Sequence, residues 1–223
     1  MRQLKNRLYT VSTLVPKGAR VADIGTDHGH LPIYLIKQEI SPYCIACDIK
    51  EKPLTSAKEN IEKTQTPNIE LRLGSGLEPL HPEDADCVVI AGMGGEVISG
   101  ILGGVRWIKD GRYTLILQPM TSADSLRRYL CENGFKIVLE VPCEENRKVY
   151  TVIKAVYTGE CFTPDEFFCR IGKLTPDTPS GKKYIEKQLK IVKDCIDDRT
   201  AAGLSADEYN AVYAELIKAL KEF

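Results

Sequence analysis

Short apolar runs of β type alternate with helical stretches from Arg20 to about Tyr157, and that alternation limits the fold more than any other feature of the chain. The runs cover residues 21–24, 43–48, 69–73, 87–91, 114–117, 136–141 and 149–156. Helical stretches fit between them, most clearly at residues 53–63, 96–102 and 122–133. The pattern predicts an α/β fold with a doubly wound, Rossmann-like sheet. Only the polar Glu144-Glu145-Asn146-Arg147-Lys148 joins the last two runs, so the sheet is expected to end in an antiparallel hairpin where a dinucleotide-binding fold would continue β-α-β.

Within this pattern, Arg20-Val21-Ala22-Asp23-Ile24-Gly25-Thr26-Asp27-His28-Gly29-His30-Leu31-Pro32 reads as a buried strand, a tight turn at Gly25 and a helix beginning at His30. Such a unit sets helix N-terminal N–H groups beside an anionic group, for instance a ligand carboxylate. Asp23, just before the turn, suits a cationic group and would repel a pyrophosphate. The spacing Asp-x-Gly-x-x-x-Gly also departs from the dinucleotide fingerprint. S-adenosyl-L-methionine, with its ammonium, carboxylate and sulfonium, therefore fits better than NAD, although a strand followed by a glycine turn also occurs in α/β proteins that bind neither.

Ligands of open parallel sheets lie at the carboxyl ends of the strands, so each run's end is informative. The first offers Asp23, Gly25, Thr26, Asp27, His28 and Gly29. The second ends in Cys47-Asp48-Ile49, with Asp48 placed to accept from both ribose hydroxyls and Ile49 to lie against an adenine face; an acid is also common there without a ligand. The third leads into Gly74-Ser75-Gly76-Leu77, where backbone can approach adenine and Ser75 offers a hydroxyl. The fourth ends in Ala91-Gly92-Met93-Gly94-Gly95-Glu96, whose glycines lose extra entropy on folding that no ordinary connection requires. The fifth ends in Leu117-Gln118-Pro119-Met120, and Pro119 is expected to hold the following chain extended away from the sheet.

With 223 residues the chain is long enough for one full α/β core and a small appendage. Lysine and arginine number 30 against 31 acids, so net charge makes no case for nucleic acid and leaves only a local basic patch open. No apolar run approaches the ~18 residues of a membrane span. The N-terminal segment, with Leu4, Leu8 and Val11 among Arg2, Lys5 and Arg7, reads as an amphipathic helix with its basic residues outward, unlike a signal peptide; a cytoplasmic location is expected. Most of the 8 cysteines lie in apolar segments, where a thiol acts as a small hydrophobe. Cys44 and Cys47 would point to opposite faces of a strand, and no second pair completes a zinc site, so no metal is expected.

Composition changes after Gly159, dividing the expected domains at residues 1–159 and 160–223. Residues 162–172 read as irregular and residues 175–181 as a linker, followed by two helices. Ile185, Leu189, Val192 and Ile196 recur at heptad spacing in the first, and Tyr209, Val212, Leu216, Ala219 and Phe223 in the second. Gly203 suits a helix C-terminus, and Ser205-x-x-Glu208 has the form of a capping box. The short connection favours an intramolecular seam over a dimer interface, hence a monomer or weak dimer.

Asp23-Ile24-Gly25-Thr26-Asp27-His28-Gly29-His30-Leu31-Pro32, Ile90-Ala91-Gly92-Met93-Gly94-Gly95 and Leu115-Ile116-Leu117-Gln118-Pro119 resemble the motifs of the bacterial tRNA (adenine-22-N1)-methyltransferases, the TrmK family. The resemblance runs from the N-terminal helix through the hairpin, and the helical tail matches the family's layout. It implies a class I methyltransferase domain with a C-terminal α-helical, coiled-coil-like domain, S-adenosyl-L-methionine as cofactor and tRNA as partner. Two positions depart from the family pattern: Ser75 stands where Asp is usual, and Met120 where Asn follows Gln-Pro. The first loses a strong acceptor for the donor's adenine amino group, which implies weaker donor binding or compensation by a neighbour. The second loses a polar group on the target-base side.

Adenine N1 carries an in-plane lone pair, so the implied catalysis is alignment in a dry site, worth ~7–11 kcal/mol, on a base turned out of its stack. Asp27 is expected to stabilise the cation formed as N1 is alkylated, with His28 shaping the turn, although Asp is favoured in turns anyway. Gly92, Met93 and Gly94 would line the target pocket, and Tyr150 would either stack on the base or belong to the core. The donor set is Asp23, Gly25, Thr26, Gly29, Asp48, Ile49, Ser75, Gly76, Ala91 and Gly92. Arg2, Lys5, Arg7, Arg127, Arg128, Arg147 and Lys148 are the candidates for tRNA contact; each taken singly reads first as a solvated surface charge, and only clustering on the face that bears the site would raise it above that. Two other functions fit the same fold: a small-molecule methyltransferase, which needs a closed apolar pocket without basic surroundings, and a non-catalytic nucleotide- or RNA-binding module, favoured by Ser75 and Met120.

Overall fold

Every apolar run of the alternating region forms a strand in the computed structural model, which describes residue 4 and residues 6–221. The strands are β1 Val21–Ile24, β2 Cys44–Asp48, β3 Ile69–Leu73, β4 Cys87–Gly94, β5 Thr114–Thr121, β6 Phe135–Glu145 and β7 Lys148–Tyr157. Between and around them lie α1 Asn6–Leu14, α2 His30–Lys37, α3 Glu51–Thr64, α4 Gly95–Gly103 and α5 Ala123–Glu132. The order across the sheet is β3-β2-β1-β4-β5-β7-β6. β1 to β5 are parallel, whereas β7 runs antiparallel to both β5 and β6, so the Rossmann-like sheet ends in the expected hairpin.

Side-chain alternation along the strands divides the core into two layers. Ala22, Ile24, Ile45, Cys47, Val88, Ile90, Leu115 and Leu117 pack with Ile98 and Leu102 of α4 and Leu126 and Leu130 of α5. Val21, Cys44, Cys87, Val89 and Ile116 pack on the other face with Val11 and Leu14 of α1 and Leu31 and Leu35 of α2. Cys44 and Cys47 thus lie in different layers, both fully buried. The same parity puts Asp23 and Gln118 on the α1 face, which matters for the site.

Several local expectations need correction. β4 runs on through Gly94 and β5 through Thr121, so Met93 pairs with Pro119 inside the sheet and Pro119 does not lead the chain away. A bulge between Ala91 and Met93 admits this, because the partner strand there needs no ladder N–H from the proline. Residues 162–172 are not all irregular, since α6 Glu166–Ile171 forms with Asp165 accepting from the Phe168 N–H. The linker ends early: Thr178 caps α7 Pro179–Ala201, with the proline in the first turn, where its missing N–H costs nothing. Before α8 Asp207–Lys221, the Ser205 hydroxyl accepts from the Asp207 N–H, so the capping box with Glu208 is not made.

α7 and α8 pack through Ile185, Leu189, Val192, Ile196, Tyr209, Val212 and Leu216, an intramolecular seam that Tyr213 and Leu220 complete. Phe223, also expected in the stripe, lies outside the described residues. Gly203 ends α7 at φ 69°, with its N–H on the Thr200 carbonyl and the Leu204 N–H on that of Arg199, a Schellman closure. Among the described residues no helix is long and apolar enough to cross a membrane.

Candidate active site

The carboxyl ends of β1, β2 and β4 lie side by side, since the three strands are parallel neighbours. Gly25 turns the chain at φ 74°, and the Gly25 and Thr26 N–H groups both donate to the Cys47 carbonyl, at 2.8 and 2.9 Å. The left-handed backbone is what calls for glycine at position 25, and the Met93 side chain packs into the space a Cβ would take. His28 and Gly29 are both left-handed, at φ 61° and 66°, a costly conformation for histidine. Asn60 of α3 holds this turn by donating from Nδ2 to the His28 carbonyl at 2.9 Å. Gly29 then opens α2, whose first residue is His30 as expected.

Asp23 is 6% exposed, and burial pushes its carboxyl up to about 6, with the Asp48 charge adding to the effect and the Thr26 side chain opposing it. The Thr26 hydroxyl is itself buried and makes no well-formed hydrogen bond among the described residues. A buried carboxyl and an orphaned hydroxyl at the end of β1 are groups that a ligand with donors would satisfy. Asp48 accepts from the Lys50 N–H through Oδ1 at 2.8 Å, while the neighbouring Ile49 leaves 65% of its surface exposed. Ser75 and Gly76 line a shallow groove with Glu78, Val97 and Ile101. In chain order, the ends of β2 and β3 thus offer an acid, an exposed apolar side chain and open backbone, the features a nucleoside-type ligand would use.

On the other side of Gly25, Asp27 and His28 project outward as a pair, His28 Nε2 standing 3.0 Å from Asp27 Oδ1, with 83% of the Asp27 side chain exposed. In the β4 bulge Gly92 stands at φ 82° and is exposed, Met93 and Gly94 are half-buried, and Ala91 is half-buried just before them. Thus the structure joins Gly25 and Met93 directly, and Asp27 follows Gly25 in the same turn. Tyr150 is half-buried among the residues of the α1 face, and the Lys187 ammonium lies 5.9 Å from its ring centroid. Lys187 donates to the Val149 carbonyl at 3.3 Å, and burial, then Lys148, lowers its pKa. The core alternative for Tyr150 is the one its packing favours.

The basic candidates separate sharply. Arg127 is fully buried, bonded to Glu140 and to the carbonyls of Cys169 and Arg170, so it is neither an RNA contact nor a solvated charge. Arg7 does not face outward either: it reaches Gln118 at 2.7 Å. Arg128 pairs with Glu166. Arg147 and Lys148 are exposed on the hairpin turn, which lies beyond the carboxyl end of β5 because β7 runs back from it. Arg2 and Lys5 lie outside the described residues. Gln118 and Asn60 were given no role by motif reading; the signal for Gln118 was a polar residue on the parity that faces α1.

Comparison with known proteins matches residues 4–153 to a family described as a methyltransferase domain. The tRNA (adenine(22)-N(1))-methyltransferase of Bacillus subtilis (strain 168) is 39% identical over 154 residues, which are 69% of this chain and 65% of that protein, just under two thirds of its length. The crystal structure of the B. subtilis M1A22 tRNA methyltransferase TrmK superposes with a TM-score of 0.78 at 30% identity, covering 98% of this chain and 96% of that one. TrmK of M. capricolum, solved with S-adenosyl-homocysteine, gives 0.77 at 26% identity, with 99% and 98% covered. The match thus extends through the helical tail as well as the sheet, and the chain belongs to the bacterial tRNA (adenine(22)-N1)-methyltransferase, or TrmK, family.

Proposed function

We propose that this protein transfers the methyl group of S-adenosyl-L-methionine to N1 of an adenosine in tRNA, adenine 22 in the D-arm region. The observation that supports this reading is the contact of the Gly25 turn with Met93 of the β4 bulge, which brings the proposed donor-binding turn next to the glycine-rich end of β4. Bound there, S-adenosyl-L-methionine supplies an electrophilic methyl group on a sulfonium. Asp23 would hold its ammonium, the α2 N-terminus with Gly29 its carboxylate, and Asp48 with Ile49 its ribose and adenine. Glu78, on the rim of the same groove, carries the acceptor that Ser75 lacks in this reading.

No side chain has to remove a proton before N1 reacts. Asp27 stabilises the positive charge that develops on the base, His28 orients Asp27, and the Gly92–Gly94 backbone aligns the ring. The exposure of Asp27, His28, Gly92 and Ile49 supports a macromolecular substrate over a small molecule, which needs a closed pocket. Incubation with unmodified tRNA and tritiated donor should label 1-methyladenosine at position 22; absence of label in tRNA sinks the proposal. In the same assay Asp27→Ala should lower kcat by roughly 10²–10³-fold with donor affinity little changed. Full activity in that variant removes Asp27 from the site.

A further inference from the structure

The bulge in β4 leaves one backbone group without a place in the sheet. Ala91 pairs with Gln118 and Met93 with Pro119, so Gly92 has no partner in the ladder, and its N–H donates instead to Gln118 Oε1 at 3.1 Å. The same oxygen accepts from Arg7 Nη1 at 2.7 Å, and Gln118 Nε2 donates to the Pro119 carbonyl at 2.8 Å. With Oε1 taking two donors and Nε2 facing a carbonyl, the amide has one orientation. Gln118 is completely buried, so removing its oxygen would strand two donors.

Arg7 covers this arrangement from α1. Its Nη1 lies 3.2 Å from where a Cβ on Gly92 would stand, so the guanidinium occupies the space that the glycine leaves free. Glu145 Oε2 is 3.7 Å from Arg7 Nε, beyond hydrogen-bond length, and both atoms are buried without a hydrogen-bond partner among the described residues. Gln118 is therefore the hydrogen-bonded tether of the arginine, and the arginine is the lid on the Gly92 turn. The Gly25 turn, by contrast, has its own bonds to Cys47 and does not depend on this tether.

We propose that Arg7 and Gln118 are a positioning pair that fixes the β4 bulge, and with it the glycine-lined wall and Met93, at the setting needed to align the target base. This rests on the methyl-transfer reading above. Neither residue has to touch substrate: Arg7 acts through Gln118, and Gln118 through the Gly92 N–H. Displacements near 1 Å at a reacting pair cost on the order of 10²-fold in rate, so a loosened bulge reads out in kcat.

The test uses the full-length protein with Arg7→Ala, Arg7→Lys, Gln118→Leu and Gln118→Glu. Arg7→Ala and Gln118→Leu should lower kcat on tRNA by roughly 10–100-fold while the donor dissociation constant, by calorimetry, stays within about threefold. Gln118→Glu, which keeps the two-donor oxygen, should lose less than Gln118→Leu, and Arg7→Lys less than Arg7→Ala. Dilute guanidinium should restore part of the rate to Arg7→Ala and none to Gln118→Leu. An unchanged kcat in Arg7→Ala, or a loss matched by equal losses in donor affinity and melting temperature with no guanidinium rescue, overturns the pair. If Gln118→Leu does not fold, the two Arg7 variants decide. A wild-type protein that labels no tRNA would overturn the methyl-transfer reading itself, a result distinct from unaffected variants of an active enzyme.

Discussion

At the scale of single residues, Asp23 sets binding against stability. Its carboxyl titrates near 6 in the folded chain, against an ordinary value of 3.8, because burial disfavours the charged form. A raised folded-state pKa stabilises the fold fully below about pH 4, and that contribution is lost as pH rises through about 6. At pH 8 the buried charge therefore costs up to about 3 kcal/mol. Asp23→Asn should melt roughly 5–10 °C higher than the parent at pH 8 and at the same temperature near pH 4, as calorimetry at the two pH values would show. The same variant should bind the donor at least about tenfold more weakly, since it has lost the counter-charge for an ammonium. A melting temperature that does not rise at pH 8 would mean that the carboxyl is solvated in the folded chain.

At the scale of elements, one buried ion pair ties the helical tail to the sheet. Arg127 of α5 meets Glu140 of β6, both with fully buried side chains, and adds the carbonyls of Cys169 and Arg170 and the Tyr184 hydroxyl. Burial alone would lower the arginine's pKa, but the Glu140 charge outweighs it and keeps the guanidinium protonated. Thr151 donates to Glu140 Oε2 at 3.1 Å, so the carboxylate is also bonded from β7. Removing one member of such a pair strands the other, at a cost of about 3–5 kcal/mol. Arg127→Met should lower the denaturant midpoint accordingly, and Arg127→Met with Glu140→Leu should recover part of that loss, since no charge is then left buried. Gly172, at φ 58°, has no room for a Cβ beside Glu140 Oε1, so Gly172→Ala should destabilise by a comparable route. Wild-type midpoints in both single variants would show that the tail does not depend on this anchor.

At the scale of the whole molecule, net charge is close to zero, so the proposed tRNA binding would have to come from where charges sit. Among the described residues, Arg147 and Lys148 are the exposed candidates at the site end of the sheet, while Arg7, Arg127 and Arg128 are engaged within the protein. Replacing Arg147 and Lys148 by alanine should raise KM for tRNA and reduce the slope of log affinity against log salt by about 1–2, with donor affinity unaffected. A parental salt slope in that variant would assign the tRNA surface elsewhere.

Much of the architecture was legible because it is written in local spacing. A side-chain period of two marks the strands, the missing helix before Val149 marks the hairpin, and Gly25 and Gly203 mark turns that need left-handed backbone. The extension of β4 and β5 past Ala91 and Leu117 was not legible, since glycine and proline disfavour strands and only the bulge between the two admits them. The fates of the arginines were not legible either. Arg127 and Arg128 are adjacent, yet one is buried against Glu140 and the other pairs at the surface, a difference fixed by which face of α5 meets the sheet and α6. Arg7 and Gln118 are 111 positions apart, and nothing in either neighbourhood announces the other. Turns and strand parity depend on a few adjacent dihedral angles and so can be inferred from short stretches. The partners of a buried charge depend on how distant elements pack, and only the folded chain brings them together.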